Sequence, residues 1–192
     1  MIRIRVLCAL LLLLVVPLIA HAEDKILPET FISEDGSLSL HYPTGWYANM
    51  VMDGQVWVST TRSPYQFGTD DIPSGEAGVS VAYAANNRTL DSRMFQGSDP
   101  LVILNDLVDS ASSWANTQLR FEKPESVTFA DQDAARVYGR LGNNEIFILI
   151  ANNGLDQFSF VVGYAPDGEL DKVEPKLLAI AESTVYQTPP NL

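Results

Sequence analysis

The chain has 192 residues, of which 24 are acidic and 12 basic, for a formal charge of −12 at neutral pH. A field of that sign repels phosphate backbones and anionic lipid surfaces, which argues against nucleic acid as a partner. The one cysteine, Cys8, falls in a leader, so thiol catalysis, thiolate metal sites and disulfides are excluded from the rest of the chain.

Residues 1–22 read as a secretory signal peptide. Arg3 and Arg5 precede an apolar run from Val6 to Ala20, and Ala20-His21-Ala22 supplies the small-x-small cleavage pattern. The run contains Pro17 and falls short of the roughly twenty residues that a retained membrane anchor needs. Arg5-Val6-Leu7 ahead of Cys8 lacks the small residues of a lipidation site. The mature chain has no second such run, so no stable membrane insertion is expected after cleavage. It is expected to form one exported, monomeric domain over residues 23–186, periplasmic or extracellular, with a disordered tail at 187–192.

Along the mature chain, Ser37–Tyr42 alternates and places Leu38, Leu40 and Tyr42 on one face, the period of a half-buried strand. Pro43-Thr44-Gly45 ends it, and Asp53-Gly54 is a hairpin-type turn signal ahead of the strand-like Val56–Thr61. Residues 62–77, with Pro64, Gly68, Pro73 and Gly75, read as a long surface loop. Gly78–Ala84 is a strand with Val79, Val81 and Tyr83 on one side. Asp99 and Pro100 are a helix start, and Leu104, Leu107, Val108, Ala111, Trp114 and Ala115 recur at helical spacing, which predicts a helix to about Asn116.

Four strands are predicted next, over Val127–Ala130, Ala134–Leu141, Glu145–Ala151 and Gln157–Tyr164. Short Asn/Gly turns at 142–144 and 152–154 join the last three, which makes them antiparallel neighbours. Ile146–Ile150 is apolar at every position, as expected of a strand covered on both faces. A last helix spans roughly 168–184 and buries Val173, Leu177, Ile180 and Ala181. Pro175 inside it predicts a kink or a start near Asp171. The order makes an α+β domain with a central antiparallel sheet sandwiched by helices.

Phe31, Asp35-Gly36-Ser37-Leu38 and Tyr42-Pro43-Thr44-Gly45-Trp46 resemble the opening of PsbP-like domains, an apolar strand ending in a Pro-x-x-Trp turn. Gly97-Ser98-Asp99-Pro100 before a helix and Leu177–Ser183 at the end are similar to later landmarks, so the resemblance spans roughly residues 30–185. It implies an α/β/α sandwich, and it implies binding rather than catalysis, since relatives include photosystem-associated, Ran-binding and small bacterial envelope proteins. The photosynthetic role does not carry over, and no functional residue is transferred.

Outside the leader, His41 is the one histidine, on the strand face opposite Leu40 and Tyr42. A single histidine rules out H-E-x-x-H and multi-histidine metal sites. A hydrolase using His41 needs a serine and a carboxylate within hydrogen-bond reach of it in a pocket. Asp70-Asp71, Asp131/Asp133 and Asp167/Glu169/Asp171 are acidic clusters in loops, none with the spacing of a twelve-residue calcium loop. Asp167 and Asp171 suit a helix N-terminus. Trp46, Tyr47, Trp57, Tyr65 and Phe67 are candidates for an exposed aromatic surface. The candidate ligand-binding residues are thus His41, Tyr47, Trp57, Tyr65 and Phe67, with no catalytic residue, metal or cofactor implied. The expected function is an exported, non-enzymatic accessory domain whose partner is another envelope or extracellular protein. A hydrolase using His41 and a calcium- or ligand-binding module in the acidic loops are the alternatives.

Overall fold

The structure, a computed structural model, describes residues 27–52, 54–62, 71–85, 99–112, 119–154 and 157–187. The leader, Asp70, and the Tyr65 and Phe67 of the long loop lie outside these residues. In chain order the described residues form β1 (Glu29–Ile32), β2 (Leu38–Tyr42), β3 (Tyr47–Met52), β4 (Gln55–Ser59), β5 (Gly78–Ala85) and helix α1 (Pro100–Ser112). Then come β6 (Leu119–Phe121), β7 (Glu125–Phe129), β8 (Gln132–Leu141), β9 (Asn144–Gly154), β10 (Gln157–Pro166), α2 (Leu170–Glu182) and β11 (Val185–Tyr186).

Two antiparallel sheets result among the described residues. The larger has the order β3-β4-β5-β10-β9-β8-β6, with β7 also paired to β8, and the smaller has the order β1-β2-β11. The alternation in Leu38 and Leu40 buries both residues, at 1% exposure, against the larger sheet. On that face Val56, Val58, Val79, Val81, Phe147, Leu149 and Val161 also meet Leu170, Leu177 and Ile180 of α2. The opposite face carries Ala135, Val137, Ile150 and Phe158 against Ile103 and Leu104 of α1. The apolar run of β9 is therefore covered from both sides, as its sequence requires. The helices do lie on opposite faces, but strands dominate: one face shares its cover between α2 and the small sheet. That small sheet is what the expected sandwich lacked.

The caps explain the helix boundaries. Asp99 Oδ1 accepts the Leu101 N–H at 2.8 Å, the capping role its position predicts. At α2 the capping carboxylate comes from another element: Glu145 Oε2 of β9 accepts the Gly168 and Leu170 amides at 3.0 and 3.2 Å. Asp167, expected at the helix start, instead pairs with Arg140 at 2.7 Å. Pro175 lies inside α2, on its exposed side.

Several segments depart from the sequence expectation. β1, β3, β6 and β11 are strands that the pattern did not single out. Asn152–Gly154, predicted as a turn, continues β9. The second half of the long loop is pinned down rather than free. There Ile72 is buried, its N–H donates to Asn144 Oδ1 at 3.0 Å, and Glu169 accepts from the Ser74 hydroxyl and the Gly75 N–H. Gln187, the first residue of the expected tail, donates its N–H to Ser37 at 2.8 Å.

Glycine is used to seat aromatic rings. Gly163 pairs across the sheet with Phe147, Gly78 with Tyr164, and Gly139 with Phe121. A Cβ on Gly163 would lie under 3.0 Å from three atoms of the Phe147 ring, so the ring lies directly over the glycine.

Candidate functional site

His41 is exposed on β2, and its Nδ1 lies 3.1 Å from the Thr30 hydroxyl of β1. Ser183 is close, but it bonds the His41 backbone, accepting its N–H at 2.9 Å. Among the described residues no carboxylate or serine hydroxyl contacts the ring, and His41 lines neither of the cavities described below. Among the described residues the arrangement that a His41 hydrolase requires is not assembled. The acidic clusters are dispersed in the same way. Asp71 accepts from Asn143, Asp167 pairs with Arg140, and Glu169 clamps the 74–75 turn. The Ser74 hydroxyl and then the Gly75 N–H hold the Glu169 carboxyl below its usual range. Among the described residues no three His, Cys, Asp or Glu side chains gather where they would hold a metal.

Of the aromatic candidates, Trp46, Tyr47 and Trp57 fall among the described residues, and the register sets Tyr47 and Trp57 diagonally on one face of the β3–β4 pair. Trp46 packs partly against the larger core cluster. Trp57 is half-buried and tilts against Tyr164 with ring centroids 6.1 Å apart. Tyr47 opens β3, and the Arg62 guanidinium sits 5.5 Å from its ring centre.

Tyr47 leads to a feature the sequence reading passed over. β3 is the terminal strand of the larger sheet and, among the described residues, pairs with β4 alone. Its sequence, YANMVM, has no charge, proline or glycine. Tyr47, Met50, Val51 and Met52 are all exposed, Met52 to 60%. Alternation puts Tyr47 and Met50 on opposite faces, so the strand offers apolar side chains on both sides of a free backbone edge. Natural sheets usually blunt such an edge with charge, proline or a bulge. Here the register shifts between Met50 and Met52, but the strand itself carries no charge. An uncharged run between the Pro-Thr-Gly turn and Asp53-Gly54 was the signal available in the sequence.

Among the described residues, two cavities open on the α2 side. One, of about 380 Å³, lies between β6, β8 and the start of α2, with Arg120, Tyr138 and Arg140 on its walls. Arg120 and Arg140 face each other across the strands. Arg140 is already neutralised by Glu145 and Asp167 at 3.2 and 2.7 Å. The other, of about 330 Å³, lies near the end of α2 and is walled by Tyr83, Phe129 and Tyr186. Between the two runs a polar tie: Glu174 of α2 accepts from Arg136 at 3.0 Å and from the Tyr138 hydroxyl at 2.8 Å. Burial first, then the bond to Glu174, pushes the Tyr138 phenol well above its ordinary range.

Comparison of the whole fold with solved structures decides its type. Cyanobacterial PsbP from Synechocystis sp. PCC 6803 superposes with a TM-score of 0.53 at 13% identity, covering 83% of this chain and 92% of that one. The chain has the PsbP-like fold. The Ran-binding protein Mog1p of Saccharomyces cerevisiae is similar at TM-score 0.50 and 12% identity, over 82% of this chain and 94% of its own. LpqN of Mycobacterium tuberculosis, described as involved in cell envelope biogenesis, gives a TM-score of 0.47 at 11% identity, over 83% and 90%. No family model and no curated protein sequence matches the chain. The identities are low enough that the likeness concerns the fold. The PsbP-like opening, Tyr42-Pro43-Thr44-Gly45-Trp46, is the corner at which the backbone leaves β2 for β3, from one sheet to the other.

Proposed function

We propose that this PsbP-like chain is an exported accessory domain that binds a partner polypeptide through the free edge of β3. The observation that carries the reading is the uncharged edge strand with Tyr47, Met50, Val51 and Met52 exposed. An extended segment adding alongside β3 takes affinity from main-chain hydrogen bonds and specificity from the alternating side chains. Methionine adapts its shape to apolar partners. Arg62, exposed and without a carboxylate partner among the described residues, favours an acidic residue in the partner near Tyr47. Support from the comparisons is of one kind: a solved protein of the same fold, Mog1p, is a Ran-binding protein. Export rests on the leader sequence, and no described helix is long and apolar enough to cross a membrane. The partner is read as another envelope or extracellular protein, bound by a monomeric domain without a cofactor.

The test uses the mature chain with a photo-crosslinking residue in place of Val51, incubated with native envelope extract. The captured partner should be lost with Met50→Lys/Met52→Lys, and its purified form should slow amide exchange in β3. Capture that survives the double substitution, with exchange slowed elsewhere, overturns the proposal.

A further inference from the structure

We infer that the cavity beside Tyr83 and Tyr186 binds an uncharged, polyhydroxylated ring the size of one sugar unit. The site is separate from the β3 edge and does not depend on it. Its volume of about 330 Å³ falls at the small end of the range of ligand pockets. The space exists because Ala151 of β9 and Ala181 of α2 are small where the layers face each other.

The lining chemistry selects the ligand class. Among the described residues no lysine, arginine or histidine lines the cavity, and the one carboxylate that does, Glu182, is exposed. With a chain charge of −12, anions are disfavoured. The polar side chains are instead neutral and act as both donors and acceptors: Gln132, Asn153, Gln157 and Ser159. A simple cation would leave the amide N–H donors unused. A ring with several hydroxyls matches them, since each hydroxyl also donates and accepts.

Hydrogen bonds within the wall orient these groups and leave capacity over. The Tyr83 hydroxyl donates to Gln157 Oε1, which leaves the Gln157 amide N–H groups as donors. Asn153 Nδ2 donates to the Ser159 hydroxyl at 2.7 Å, which leaves Asn153 Oδ1 as an acceptor. The Gln132 amide has no partner among the described residues. Tyr83 and Tyr186 stack with centroids 4.1 Å apart and, with Phe129, give the cavity an aromatic side for the C–H face of a ring. Tyr186 belongs to that wall through its ring, and its hydroxyl is buried without a hydrogen-bond partner among the described residues.

The experiment titrates the mature chain with N-acetylglucosamine, read by amide chemical shifts and calorimetry. Choline and glucose 6-phosphate serve as the cationic and anionic controls. Saturable shifts at the ends of β9 and β10 and at Tyr186, with a Kd of about 1 mM, are expected for so small a ligand. Gln132→Ala/Asn153→Ala changes two exposed side chains, so the fold should persist by circular dichroism while binding weakens about tenfold or more. A tetramer of the same sugar that binds more tightly identifies a glycan chain as the source, whereas equal binding identifies the free sugar; both sustain the site. No saturable shift, shifts confined to other surfaces, tighter binding of either control, or unchanged binding by the double variant overturns it.

Discussion

Gly163→Ala isolates the device that seats Phe147. Phe147 is fully buried in β9, and its ring covers Gly163 of β10, its direct cross-strand partner. A methyl group there would sit under 3.0 Å from three ring atoms, and a ring at 0% exposure has no open side to move into. Overpacking of this kind costs roughly 1–3 kcal/mol, less the roughly 0.4–1 kcal/mol regained because alanine is less free than glycine when unfolded. The net destabilisation is about 1.5 kcal/mol, or about 5 °C in melting temperature for a chain of this size. Urea denaturation of a double-mutant cycle with Phe147→Leu measures it. The smaller side chain vacates the space over Gly163, so Gly163→Ala should become nearly neutral in that background. Coupling of about 1 kcal/mol is expected, and additivity within about 0.5 kcal/mol would refute the reasoning.

Three further outcomes are expected. The Asp35 carboxyl is held down to about 2 from 3.8, first by the Ser33 hydroxyl and then by the Ser37 N–H and hydroxyl. A depressed folded pKa gives stability that is complete above the unfolded value and lost as pH falls through about 2. Asp35→Asn should therefore flatten the stability profile across that window, whereas denaturation curves that stay parallel to wild type would contradict it. Ala130 and Asp131 turn between β7 and β8 with φ of 49° and 60°, a conformation that costs a residue with a Cβ roughly 1–2 kcal/mol. Ala130→Asn should raise the urea midpoint by the equivalent of about 0.5 kcal/mol, since asparagine tolerates that region best after glycine. Glu174→Ala removes the shared acceptor of Arg136 and Tyr138, whose pair with Arg136 is largely shielded, with side chains 11% and 24% exposed. Because Arg136 keeps Glu125, the loss should be about 2 kcal/mol rather than the larger value for an orphaned buried charge. Glu174→Gln, which keeps an acceptor, should lose about half as much in the same assay.

What the sequence makes legible is what local chemistry decides. Alternation in Leu38 and Leu40, the capping residue Asp99, and the unbroken apolar run of β9 each report a nearby physical requirement, and each matches the structure. The fold type was legible too, through the Pro-x-x-Trp corner. β11 was not, because two residues carry no periodicity and their partners, Ser39 and Leu38, lie near the other end of the chain. The cap of α2 escaped for a related reason: Glu145 reaches it from another element, 23 positions away. At the candidate sites the gap is wider. Tyr47 was singled out for its ring, but what makes β3 a surface is its place at the end of the sheet, which is a property of topology. Tyr83 and Tyr186 stand far apart in the chain, and only the closing of β11 onto β2 stacks them.

The order in which the sheet closes bears on when such a chain can fold. β5, inside the larger sheet, joins the central strand β10 with Val81 opposite Val161, and β2 completes the small sheet with Ser39 opposite Val185. Neither half can therefore finish folding while the other is still being made or threaded. Closing such long-range contacts is slow, so the chain should stay open until β11, the last described strand, is released. Were the chain exported as proposed, this topology would suit a route that carries polypeptides unfolded and lets them fold once they emerge.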